Sequence, residues 1–130
     1  MNEVFLDANV LFSAAYGSSG LMILWERAEK DCCVLLASEY VIEEARRNLV
    51  GWESQSRLEE LCAGLKIIPE ADPSLPCPID LSVKDQPVFM AALLGKATHF
   101  LTGDRRHYGR YLGTTVRGMW VGSPGGYLKG

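Results

Sequence analysis

Asp7, Glu44, Asp85 and Asp104 are carboxylates placed where four different secondary-structure elements should begin or end. Asp7 and Asp104 close short apolar runs, Glu44 lies in a polar helical stretch, and Asp85 opens an apolar one. If these ends converge, the carboxylates repel one another and offer hard oxygen donors, a combination that calls for a divalent cation. A cation held there neutralises a phosphodiester and acidifies a water, so the chemistry within reach is metal-dependent phosphodiester cleavage. Each acid also has a plainer use. Asp7 and Asp85 can cap the helices that follow them, Glu44 can belong to a solvated face, and Asp104 can be a turn residue.

The surroundings of the acids extend this chemistry. Asn9 and Thr102 stand two residues from Asp7 and Asp104, close enough to orient site carboxylates by hydrogen bonds. Arg105, Arg106, His107 and Arg110 follow the fourth acid and are candidates to grip phosphates beside the cut, with Lys96 and Arg47 as weaker ones. His107 can also be read as a general acid or as a surface histidine. Tyr108 and Tyr111 can stack on bases or pack internally. Glu43 and Glu44 point about 100° apart on a helix, so one of them can join a site, and spacing does not choose which.

The elements that must position these groups read as alternating strands and helices. Val4 to Leu6 forms a buried central strand ending at Asp7, and residues 8–15 a helix. Gly17 to Gly20 makes a turn, and Ser19 caps a helix carrying Leu21, Leu24, Trp25 and Ala28. Cys33 to Ala37 is a second strand, and Ser38 caps the helix SEYVIEEARRNL with Val41, Ala45 and Leu49 on its apolar side. A helix over Ser56 to Gly64 and a third strand over Lys66 to Pro69 follow, then a proline-rich loop to Ser82. The helix begun by Asp85 has Pro87 in its first turn and Gly95 near its end. His99 to Thr102 and Val116 to Val121 complete the strands. This alternation predicts a parallel sheet between helical layers, with every strand's carboxyl end on one edge.

With 130 residues, 48% of them hydrophobic, the chain fits one domain, 1–130, with an adequate core. No apolar stretch is long enough to span a membrane, and the start lacks a secretory leader, so a cytoplasmic protein is expected. Cys32, Cys33, Cys62 and Cys77 have neither CxxC spacing nor a histidine at zinc spacing, and read as reduced thiols. A net charge of −3 argues against a protein that simply coats nucleic acid. Residues 96–130 nevertheless carry six basic groups against one acid, a basic margin suited to a polyanion.

Taken in order, these segments resemble the PIN-domain nucleases, in particular the small bacterial and archaeal kind that includes VapC-type toxins. VFLDANVLFSA looks like the first motif, an apolar strand followed by Asp-x-Asn, and SEYVIEEARRNL is similar to the second. In that motif the acid lies five residues before a leucine, which selects Glu44 through Leu49. KDQPVFMAALLGKATHFLTGDRRHYG looks like the third and fourth motifs joined, and VGSPGGYL like the closing strand and turn. The resemblance implies a three-layer α/β/α sandwich with a central, mainly parallel sheet. It implies a ribonuclease dependent on Mg2+ or Mn2+, with Asp7, Glu44, Asp85 and Asp104 as catalytic and metal-binding residues. It also implies a homodimer and a small antitoxin protein as partner.

Two other classes compete with this reading. A non-catalytic module of the same fold would bind RNA or protein without cutting. A phosphotransferase of the haloacid dehalogenase type also uses an aspartate at the end of its first strand, but needs a second aspartate where this chain has Asn9.

Overall fold

Val4, Phe5 and Leu6 are wholly shielded from solvent, and their strand, β1 (Asn2–Leu6), lies inside a six-stranded sheet. The computed structural model describes residues 1–129. On one side β1 pairs with β2 (Cys33–Ala37), and β2 with β3 (Leu65–Ile67), all parallel. On the other side β1 pairs in parallel with β4 (His99–Leu101), placing Phe5 opposite Phe100. Beyond β4 lie β6 (Met119–Gly122), parallel to it, and β5 (Thr114–Val116), antiparallel to β6 at the edge. The order is therefore β3-β2-β1-β4-β6-β5.

Helices α1 (Ala8–Ala15), α2 (Met22–Glu29), α3 (Glu39–Asn48) and α4 (Trp52–Cys62) occupy the connections from β1 to β3. Helix α5 (Gln86–Leu94) joins β3 to β4 and carries the chain back across β1. Right-handed crossovers put helices on opposite faces when the chain reverses direction in this way, giving three layers. α1 packs on α3 and α4, and the Trp25 indole N–H donates to the Leu61 carbonyl at 3.0 Å, tying α2 to α4. On the other face Phe5 and Phe100 stack at 5.5 Å, and Phe89 of α5 packs on Phe100 at 5.3 Å. The fold is thus an α/β sandwich with a central, mainly parallel sheet. No helix among the described residues is long and apolar enough to cross a membrane.

The reversal makes the gap between β1 and β4 a topological switch point, where connections leave toward opposite faces and open a crevice beyond the strand ends. Short α6 (Arg105–Tyr108) and a 3-10 turn, Gly109–Tyr111, follow β4, and α7 (Pro124–Lys129) follows β6.

Several local expectations are corrected. The strand expected over Val116 to Val121 is a hairpin, turned at Arg117 (φ 49) and Gly118 (φ 86). Two positive φ values match the turn to the twist of the flanking strands, and Arg-Gly lacks the Asn-Gly signature that announces it. The position preceding α2 is Leu21, with no side-chain cap, so Ser19 does not cap that helix. Ser38 does precede α3, but its hydroxyl is buried without a hydrogen-bond partner and caps nothing. α4 begins at Trp52, earlier than expected, and the third strand ends at Ile67, short of Pro69.

Candidate functional site

Asp7 leaves β1 where its backbone N–H donates to the Leu101 carbonyl at 3.0 Å, holding the ends of β1 and β4 together. Its carboxylate accepts three hydrogen bonds from the protein, which leaves lone-pair capacity on Oδ1. Oδ1 accepts from the Ala8 N–H at 2.9 Å, and Oδ2 accepts from the Thr102 hydroxyl at 2.9 Å and from Asn9 Nδ2 at 3.2 Å. The Asn9 carbonyl oxygen in turn accepts from the Gly103 N–H at 2.7 Å, which locks the two strand-end loops to each other. Thr102 is fully buried, and its hydroxyl oxygen also accepts from the Asp104 N–H at 3.1 Å. The two residues proposed to orient carboxylates therefore both touch Asp7.

Asp104 caps α6. Its Oδ1 accepts from the N–H groups of Arg106 and His107, both at 3.0 Å, and its Oδ2 lies 2.7 Å from His107 Nδ1. Asp85 precedes α5 but does not cap it; its Oδ2 accepts from the Ser82 hydroxyl at 2.8 Å and stands 3.9 Å from His107 Nδ1. The reason is its backbone, which is already helical (φ −84, ψ −23) rather than extended as a capping residue requires. Glu44, on α3, lies 3.5 Å from Lys84 Nζ.

Asp7, Glu44, Asp85 and Asp104 all line one open cavity of about 600 Å³ at the carboxyl edge of the sheet. His107, Lys84 and Asn9 share its wall. Glu43 does not; it pairs with Arg46 along the outer face of α3. The other basic candidates lie elsewhere. Arg105, Arg106 and Arg110 are exposed and outside the cavity lining, and the Arg110 guanidinium sits 5.3 Å from the Tyr111 ring centre. Lys96 and Arg47 also lie outside it. Tyr108 cannot stack on a base: it is fully buried, tilted against Phe100 at 5.2 Å. Tyr111 is half-buried, its hydroxyl accepting from the Asp80 N–H at 2.8 Å.

The carboxylates differ in electrostatic state. Burial pushes the Asp7 carboxyl up to about 6, helped by the charges of Asp85 and Glu44 and opposed by the bonds from Thr102 and Ala8. Burial also works to raise Asp104, but the hydrogen bonds and charge of His107 and the bond from the Arg106 N–H hold it below the usual carboxylate range. Beneath them the Tyr108 phenol is pushed far up by burial and then by Asp7, Asp85 and Asp104. Its hydroxyl is buried without a hydrogen-bond partner.

These features fit a divalent cation. The donors are hard oxygens, Asp7 is half-buried with no cationic partner, and the orphaned phenol lies within electrostatic range of three of the acids. Ser82, Lys84 and Asn48 were not anticipated as neighbours of the acids. Lys84 directly precedes Asp85, Ser82 opens the turn into it, and Asn48 stands one helical turn after Glu44, so the signal was adjacency alone.

No family model matches the chain, and no curated protein does. Among solved structures, a chain of the crystal structure of VapBC2 from Rickettsia felis bound to a DNA fragment from their promoter is similar. The TM-score is 0.62 and the identity 16%, over 93% of this chain and 98% of that one. The likeness establishes a shared PIN-like fold.

Proposed function

We propose that this chain is a metal-dependent ribonuclease that hydrolyses RNA phosphodiester bonds with a metal-activated water. The observation that supports the reading most strongly is the convergence of Asp7, Glu44, Asp85 and Asp104, from four separate elements, on one cavity at the switch point. In this reading Asp7, Asp85 and Asp104 hold Mg2+ or Mn2+ directly or through water, and Glu44 positions the ion or its water. A bound divalent ion supplies charge neutralisation at the phosphate and a more acidic water.

Asn9 and Thr102 keep the Asp7 carboxylate aimed, since each donates to Oδ2. Lys84, paired with Glu44 at the cavity mouth, is a further cation that can meet a phosphate once Glu44 is engaged by the ion. Arg105, Arg106 and Arg110 form an exposed basic margin beyond the cavity and would contact the backbone away from the scissile bond.

The fold shared with a chain of the VapBC2 complex, together with the motif resemblance, supports a toxin role in a pair with a small antitoxin protein. A cytoplasmic homodimer completes that reading. The test is incubation of the purified protein with total RNA in Mg2+, in Mn2+ and in chelator, beside Asp104→Asn. Cleavage that needs metal and is lost in the variant is expected. RNA bound but uncut under every metal, or cleavage that persists in chelator, would defeat the proposal.

A further inference from the structure

We propose that His107 is a ligand of the metal in this site, and that its imidazole makes the site prefer a transition metal such as Mn2+ to Mg2+. The inference rests on the metal-site reading above and narrows it.

Ligand atoms about 2.1 Å from a common ion stand ~3.0 Å apart when adjacent and ~4.2 Å apart when opposite. His107 Nδ1 lies 2.7 Å from Asp104 Oδ2 and 3.9 Å from Asp85 Oδ2. One donor atom from each of the three residues falls within 4.8 Å of both others. The set therefore needs displacements on the order of an ångström or less to surround one ion, with Nδ1 unprotonated and the bond to Asp104 opened.

The placement of the ring is built into the fold. His107 sits in the first turn of α6, where its N–H donates to Asp104 Oδ1 at 3.0 Å. The next residue, Tyr108, is fully buried against Phe89 and Phe100 and anchors that turn to the sheet. This leaves the imidazole on the cavity wall, while Arg105 and Arg106 on the same turn face away from it. The Tyr108 hydroxyl, buried one residue further along the same turn, has no hydrogen-bond partner of its own.

The consequence follows from ligand chemistry. Mg2+ favours an octahedron of oxygens and keeps its waters, whereas imidazole nitrogen suits first-row transition metals. A site that adds one imidazole to its carboxylates should discriminate where an all-carboxylate site would not.

Calorimetric titration of the full chain with Mn2+ and with Mg2+ tests this, with His107→Ala and Asp104→Asn alongside and circular dichroism to check folding. Pulsed electron paramagnetic resonance of the Mn2+ complex gives a second readout. Expected are nitrogen couplings in the native protein, their loss in His107→Ala, and a loss of Mn2+ affinity there of about 10-fold or more, with Mg2+ affinity within about threefold. Should His107→Ala not fold, the couplings of the native protein decide alone. Mn2+ binding that depends on Asp104 but shows no nitrogen coupling would overturn the assignment of His107 and leave the acidic metal site standing. Failure of the native protein to bind either ion would overturn both.

Discussion

Replacing Asp7 by asparagine should change how stability depends on pH. Asp7 is raised by burial from an ordinary 3.8 to about 6. A folded-state value above the unfolded one means that the native protein binds the proton more tightly, so stability falls as pH rises through that interval. The displacement corresponds to about 3 kcal/mol, lost between roughly pH 4 and pH 6.5 in the absence of metal. Asp104 has the opposite sign: its stabilisation is present above the unfolded pKa and is lost as pH falls, but it is common to both proteins and cancels in the difference. Asparagine keeps one oxygen where the carboxylate offers two, and so loses part of the bonding to Ala8, Thr102 and Asn9. That loss, on the order of 1–2 kcal/mol, is nearly independent of pH and shifts the whole curve. Urea denaturation of both proteins at intervals from pH 4 to pH 7.5, in chelator, yields the two curves. The difference should move by about 2–3 kcal/mol in favour of the variant as pH rises. A difference that stays flat, or that moves the other way, would refute the claim that burial governs this carboxyl.

Other perturbations separate packing from chemistry. Tyr108→Phe removes a buried hydroxyl that has no partner, and should leave metal-free stability unchanged or raise it by about 1 kcal/mol in thermal unfolding. A Cβ on Gly122 would overlap the Trp120 ring, which packs beside His99, so Gly122→Ala should cost about 1–3 kcal/mol of stability. The double variant Arg105→Ala, Arg106→Ala should weaken RNA binding and flatten its salt dependence. If both residues meet phosphates, the slope of log K against log salt should fall by about 1.4. An unchanged slope would remove both arginines from the interface.

Much of the scaffold was legible because its strongest signals are local and apolar. Val4 to Leu6 and Cys33 to Ala37 are short runs bounded by polar residues, and both are strands. Asp85, Pro87 and Gly95 bracket a helix whose interior is almost wholly apolar, and α5 lies between them. The candidate site was legible for a further reason. A parallel sheet must bring strand carboxyl ends to one edge, so Asp7 and Asp104 could be placed together without knowledge of any side-chain contact. Glu44 was chosen by motif resemblance; the geometry distinguishes it independently, since Glu43 faces Arg46 and Glu44 faces the cavity.

What stayed hidden depends on neighbours distant in sequence. Ser19 and Ser38 are good capping residues by type, yet neither accepts a capping bond: α2 starts at Met22, directly after Leu21 rather than after Ser19, and the Ser38 hydroxyl is buried without a hydrogen-bond partner. β6 is fixed by pairing with β4, and the six residues from Val116 to Val121, interrupted by Arg117 and Gly118, can serve either one strand or two. His107 shows the point most sharply. Read along the chain, it belongs with Arg105, Arg106 and Arg110 as one cationic row. In the fold, a single helical turn capped by Asp104 separates it from them, because Nδ1 comes within 2.7 Å of one acid and 3.9 Å of another while the arginines remain in solvent. Tyr108 is what makes the difference: its burial fixes the rotation of that turn, and with it which of four consecutive side chains meets the carboxylates.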